Sequence, residues 1–245
     1  MTCTLRYLTA TLSLFACTCV ANAQRQLPAD MPTTDAPRIL YVYDALCGWC
    51  YGFSPALGEF VEAHPDLPVE VVSGGMIVGE REGPIGEVAA YIKQAYKDVE
   101  RATGVEFGQD FITGPLERGD MMMSSVPPAR LLAWSREQAP DKQYEAANAL
   151  QRGIYFHGFG PGSEQLATFL AEQLSLKPAD AIAALTDERY ADPARRDFAL
   201  TQQLGVRGFP AVFLVRGQTA YPLANGYTGV GQLEERLASI EGKKG

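Results

Sequence analysis

Cys47-Gly48-Trp49-Cys50, set in RILYVYDALCGWCYGFSPALGEF, restricts this chain more than any other feature. Ile39, Leu40, Tyr41, Val42 and Tyr43 form an apolar, β-branched and aromatic run that reads as a buried strand. After a short turn, Phe53, Leu57, Phe60 and Val61 recur at helical spacing. Cys47 therefore falls at or just before a helix N-terminus. Unpaired amide N–H groups and the positive end of the helix macrodipole stabilise an anion there. A thiolate is such an anion, which favours Cys47 as a nucleophile. Cys50 sits one turn on, within bonding distance but more enclosed, as suits a resolving thiol. Cysteines so spaced open and close a disulfide with little backbone movement.

The other cysteines sharpen this reading. Residues 1–23 read as an export signal: a thin positive start with Arg6, a mildly apolar stretch from Leu8 to Val20, and Ala21-Asn22-Ala23 as a small-x-small cleavage site before Gln24. The apolar part is short for a bilayer span. Two other readings stay open, a membrane anchor and a lipidated Cys17 after Leu14-Phe15-Ala16, where Phe15 is an awkward residue. Cleavage after Ala23 removes Cys3, Cys17 and Cys19, leaving Cys47 and Cys50 of the five and implying a periplasmic or secreted protein. A disulfide across so short a loop constrains little of the unfolded chain, so the pair is there for chemistry, not stapling.

Charge narrows the partners. The chain carries a formal −8, and because Arg6 is the only charge in residues 1–23 the remainder carries −9. That argues against nucleic acid and against stable association with anionic membranes. With 47% apolar and 10% aromatic residues among 245, the chain can bury a substantial core.

Residues 24–36 are polar and proline-containing and read as an exposed lead-in. Pro68 to Ser73 reads as a second strand broken by Gly74-Gly75, and the helix between the two strands implies a parallel pair. Helical periodicity then dominates: Ile85–Thr103, Val126–Gln138, Tyr144–Phe156, Ser163–Leu174 and Ala179–Leu185. Pro127 and Pro128 suit a first helical turn, with Ser124 or Ser125 as the cap. A helix over Ala194–Leu204, a strand over Val206–Val215, a partner strand over Tyr221–Ala224 and a closing helix over Gly229–Ile240 restore the α/β pattern. The division is thus an α/β unit of residues 37–78 and 193–245, with an all-helical insertion of residues 79–192.

Pro210 has two readings: an edge-strand proline, or a cis Phe209-Pro210 bond set against the cysteines. The second turns backbone groups outward to pair with an extended peptide. Asp44, three residues before Cys47, could accept a proton during resolution or make local hydrogen bonds that order the turn. Trp49 and Tyr51 form an apolar rim around the pair or pack against the insertion. His64 and His157, beside Pro or Gly near helix ends, read as capping or solvated residues. Met121-Met122-Met123 reads as packing rather than a soft-metal site.

A strand-helix carrying Cys-x-x-Cys, a long helical insertion and a late Gly-Val-x-Gly-x-Pro strand together resemble the DsbA family of thiol–disulfide oxidoreductases, in the branch of protein-disulfide isomerases. The stretches DALCGWCYGF, SSVPPARLLAW, ALQRGIYFHG and LGVRGFPAVFLV carry the likeness. The resemblance implies a thioredoxin-like α/β fold with a long all-helical insertion. It implies Cys47 as attacking thiol, Cys50 as resolving thiol and Pro210 as a cis proline, with Phe209 and Trp49 contacting substrate. No cofactor or metal beyond the redox-active pair is implied. The partners would be exported proteins with thiols or disulfides and a further redox partner that resets the pair. Gly48-Trp49 replaces the Pro-His of the best-known members and supplies no cation, so the potential is expected between roughly −270 mV and about −120 mV. Phe209 is bulkier than the usual valine or threonine.

Two other functions compete. Cys47 and Cys50 could hold a soft metal, although two cysteines do not complete a tetrahedral zinc site. The architecture also resembles glutathione-dependent transferases and isomerases of small molecules, which typically keep a serine at the nucleophile position and lack the second cysteine.

Overall fold

A computed structural model describes residues 24–29 and 36–242; the expected export signal lies outside them. The strands are β1 (Arg25–Gln26), β2 (Arg38–Tyr43), β3 (Val69–Ser73), β4 (Gly83–Pro84), β5 (Met122–Met123), β6 (Ala211–Arg216) and β7 (Thr219–Asn225). The helices are α1 (Gly48–Ala63), α2 (Ala89–Thr103), α3 (Gln109–Ile112), α4 (Pro115–Arg118), α5 (Val126–Gln138), α6 (Gln143–Tyr155), α7 (Glu164–Leu174), α8 (Pro178–Ala184), α9 (Ala191–Gln203) and α10 (Val230–Gly242).

The main sheet runs β1-β7-β6-β2-β3. β2 is parallel to β3 and antiparallel to β6, as the crossover through α1 requires. All six residues of β2 are buried, which explains its unbroken hydrophobic run. Alternation sorts its side chains: Ile39, Tyr41 and Tyr43 face α1 and the insertion, while Leu40 and Val42 join Phe213, Val215 and Leu204 on the other face.

β3 is an edge strand whose outward amides are covered by side chains. Val71 N–H donates to Gln143 Oε1 at 3.0 Å, and Ser73 N–H donates to Asp197 Oδ2 at 3.0 Å. Such cover removes a template for pairing with another chain. Asp197 also accepts from both terminal nitrogens of Arg136, at 3.2 and 2.6 Å, so α5, α9 and β3 meet at one part-buried ion pair.

Helix α1 contains Pro55, whose missing N–H leaves the Tyr51 carbonyl without its helical donor. The Ser54 hydroxyl donates to that carbonyl at 2.6 Å, and the helix continues. At Gly52 a methyl group would lie 2.5 Å from Val99 Cγ1, so the α1–α2 contact depends on glycine.

Several expectations need correcting. The segment read as an exposed lead-in contributes an edge strand, β1, paired to β7, and Leu27 buries beside it. The insertion is not wholly helical: β4 and β5 form a two-residue antiparallel ladder. Pro84 pairs with Met122 there, and Met121 and Met123 point into the core. Ile85–Glu87 is a 3-10 turn rather than the start of α2. The strand expected from Val206 begins only at Ala211, because a cis proline without an N–H ends the preceding loop. Helix α9 starts at Ala191, inside the stretch assigned to the insertion, and packs on β3.

Candidate active site

Strand β2 ends at Tyr43, the chain turns through Asp44-Ala45-Leu46, and Cys47 becomes the N-cap of α1. The turn closes on its own backbone: Cys47 N–H donates to the Asp44 carbonyl, and Cys50 N–H to the Cys47 carbonyl, both at 3.0 Å. Cys47 is 8% exposed and Cys50 0%. Both sulfurs are free thiols in this structure. Burial pushes the Cys50 thiol well above the ordinary cysteine range; its hydrogen bond to Cys47 and the Cys47 and Asp44 charges push the same way. Cys50 therefore stays protonated while the pair is reduced.

Pro210, in the loop that leads into β6, faces this turn. The Phe209-Pro210 peptide bond is cis, and the Phe209 carbonyl oxygen lies 3.7 Å from Cys47 Sγ, accepting its thiol hydrogen. The Phe209 ring folds back over Gly74: a methyl group there would stand 2.2 Å from the ring edge. Gly74 N–H donates to the Tyr43 carbonyl at 2.6 Å, tying the glycine loop to the end of β2. The break at Gly74-Gly75 thus makes room for the residue before the cis proline.

Asp44 is 1% exposed and accepts from three segments. Leu46 N–H donates to Oδ1 at 3.0 Å, Ser125 Oγ to Oδ1 at 2.9 Å, and Met76 N–H to Oδ2 at 2.8 Å. Burial pushes the Asp44 carboxyl above the usual range even though its hydrogen bonds from Met76, Leu46 and Ser125 favour the charged form.

Trp49 is half-buried and its ring centroid lies 6.3 Å from that of Tyr227, which is 39% exposed. Tyr51 turns inward, with its ring 5.1 Å from Phe107 and 5.4 Å from Tyr155 and its hydroxyl on the Glu106 carbonyl at 3.1 Å. Tyr51 therefore packs against the insertion; burial pushes its phenol up to about 12 and keeps it neutral. His64 pairs with Glu234 and His157 stacks on Phe159, both away from the thiols. Among the described residues no three His, Cys, Asp or Glu side chains cluster in a way that would hold a metal ion.

Two site residues escape sequence reasoning. Ser125 looks like a helix cap, yet its hydroxyl caps nothing: it donates to Asp44 and accepts from Ile77 N–H at 3.0 Å, while the Ser124 hydroxyl accepts from Val126 N–H. Gln151, on the buried face of α6, donates from Nε2 to the Asp44 carbonyl at 3.2 Å and the Cys47 carbonyl at 3.3 Å. Its one sequence signal is an amide at helical spacing among Ala147, Ile154 and Tyr155.

A buried thiol behind a more accessible one, at a helix start after a central strand and opposite a cis-proline loop, is the arrangement of a thioredoxin-fold thiol–disulfide oxidoreductase. The chain belongs to the DSBA-like thioredoxin domain family, whose profile matches residues 38–238. It is similar to the cytosolic disulfide reductase DsbM from Pseudomonas aeruginosa, with 28% identity, TM-score 0.69, and 84% of this chain and 98% of that one covered. The structure of DsbM with GSH gives 25% identity and TM-score 0.66 over the same shares. A candidate protein disulfide isomerase from Nitrosomonas europaea shares the fold at 22% identity and TM-score 0.72, covering 85% of this chain and 99% of that one. No curated protein sequence matches the chain. The protein is a thiol–disulfide oxidoreductase, and its partners are proteins bearing thiols or disulfides.

Proposed function

We propose that this protein is exported and exchanges disulfides with exported client proteins through Cys47 and Cys50. The contact between Cys47 Sγ and the Phe209 carbonyl at the cis proline carries this reading. A client strand laid along that loop would pair with its backbone and bring its own sulfur into line with Cys47.

In the reducing direction, the Cys47 thiolate attacks a client disulfide and one client sulfur leaves as a thiolate. Cys50 then gives up its proton, with Asp44 as acceptor, and its sulfur bonds to Cys47. The Cys47–client bond breaks and the second client sulfur departs as a thiolate. The client has gained two electrons, and the enzyme holds a disulfide for a redox partner to reduce. In the oxidising direction the same bonds form and break in reverse order. Cys47, the more exposed of the two sulfurs, serves both as nucleophile and as leaving group. Trp49 and Tyr227 would offer the client an aromatic contact beside the sulfur.

Cys50→Ser tests this reading directly. It should trap mixed disulfides with exported clients through Cys47, and Cys47→Ser should trap none. Trapping by Cys47→Ser alone would reverse the assignment of the thiols. The location is tested by N-terminal sequencing of the protein from a periplasmic fraction, which should begin at Gln24. The intact N-terminus in the cytosol would overturn export.

The likeness to DsbM with GSH favours a second reading, in which glutathione supplies electrons to the pair. Equilibration with glutathione buffers tests the second reading: millimolar glutathione at cytosolic poise must reduce the pair if it is the donor, a result that a strongly oxidising exported pair would share. A pair that stays oxidised there would need a stronger protein donor.

A further inference from the structure

We infer that Ser125, supplied by the helical insertion, is a positioning residue for the proton transfer that releases a client, because among the described residues it is the one hydrogen-bond partner of the Asp44 carboxylate that can turn its hydrogen. The inference rests on the exchange reading above.

A carboxylate offers about four lone-pair sites. In Asp44 the Leu46 N–H and the Ser125 hydroxyl fill Oδ1, and the Met76 N–H donates to Oδ2. The two amides are fixed by the backbone that carries them, and each can only donate. A proton taken up on Oδ1 must therefore displace or reverse one of its two bonds, and only the hydroxyl can reverse. Ser125 is 2% exposed and its Oγ is held by the Ile77 N–H, while its own N–H donates to the Ile77 carbonyl at 2.8 Å. The oxygen is thereby anchored while its hydrogen remains free to turn. With Asp44 ionised, Ser125 donates to it; with Asp44 protonated, the acid donates to Ser125.

The exchange step balances on this arrangement. The Cys50 S–H bond breaks and its proton goes to Asp44. The sulfur electron pair forms the Cys47–Cys50 bond, and the bonding pair of the mixed disulfide leaves on the client sulfur. The titratable groups that feel the Asp44 charge are Cys50 on α1, Tyr43 on β2 and Tyr155 on α6. Both tyrosines are pushed well above the ordinary phenol range, chiefly by burial, and remain neutral bystanders at working pH.

The test is release of 2-nitro-5-thiobenzoate from its mixed disulfide with Cys47 in the exported protein beginning at Gln24, followed by absorbance across the acidic to neutral range. In the unmodified protein the rate should fall on acidification as Asp44 takes up a proton. Ser125→Ala removes one donor from the charged acid, so the midpoint of that fall should move up by about one pH unit. Ser125→Thr, which keeps the hydroxyl, should restore the midpoint. In an Asp44→Asn background, Ser125→Ala should move nothing. A Ser125→Ala profile lowered equally at every pH, with its midpoint unmoved, would reduce Ser125 to a packing role and overturn the inference. Failure of Cys50 to release the probe in the unmodified protein would remove the exchange reading itself, and the two failures look different.

Discussion

Cys47 and Phe209 are 162 residues apart in the chain, yet the cysteine sulfur lies 3.7 Å from the phenylalanine carbonyl oxygen. That contact makes a single site of two distant segments. The glycine loop after β3 and two residues of the insertion set its geometry, and the consequences can be measured.

Gly74 should be intolerant of any side chain. A methyl group there would stand 2.2 Å from the Phe209 ring, so Gly74→Ala must displace the ring and the proline loop behind it. The expected cost is about 1–3 kcal/mol of stability. Misplacing the loop facing Cys47 should slow exchange by about 10- to 100-fold. Thermal melts and an insulin-reduction assay on the same preparation check both. Full activity in the variant would show that the ring position does not govern the loop.

Cys50 should be closed to reagents that reach Cys47. It is 0% exposed and burial holds it as a thiol, so iodoacetamide on the native reduced protein should add one label, at Cys47. Denaturation should admit the second. Peptide mass spectrometry decides, and comparable native labelling of both cysteines would contradict the geometry.

Gln151 should be needed for the shape of the cysteine turn. Gln151→Leu leaves the Asp44 and Cys47 carbonyls without their side-chain donor in a buried site. The expected loss is about 1–3 kcal/mol in urea unfolding, together with slower exchange. A loss of stability with unchanged exchange would limit Gln151 to the fold.

Asp44 should make the reduced protein less stable as pH rises. Its folded-state proton affinity is raised by burial, so between the unfolded value near 3.9 and the folded value the native state binds more protons. That contribution is complete below about pH 3.9 and is lost as pH climbs through the folded value, with a slope of at most about 1.4 kcal/mol per pH unit. Asp44→Asn should flatten the unfolding free energy over that window relative to the unmodified protein. Parallel curves would mean that Asp44 titrates alike in both states.

Asp197→Ala should strand Arg136 and uncover the Ser73 amide at the sheet edge. Asp197 is buried but Arg136 is only part-buried, so water can reach the stranded charge and the expected loss is about 1–3 kcal/mol. Asp197→Asn keeps an acceptor for Ser73 and should lose less. Equal losses in both variants, by chemical denaturation, would place the cost in the charge alone.

Local chemistry determined the strand, the cysteine pair at a helix start and the proline of interest, because each is written in neighbouring residues. Unbroken burial of Ile39–Tyr43, helical spacing from Phe53 to Val61 and the Gly205–Pro210 run need no distant contact to be read. Tertiary structure alone decided what surrounds the sulfurs. Ser125 carries the local signature of a cap, and only a partner 81 residues away shows that its hydroxyl serves Asp44. Gln151 is one amide on an apolar helix until the carbonyls of Asp44 and Cys47 arrive beneath it. Gly74 reads as a strand breaker, and its indispensability comes from the Phe209 ring in the loop before β6. Hydrogen bonds between distant segments leave no periodicity in either segment. The residues that hold the cysteine turn in place therefore become legible only once the insertion has packed against it.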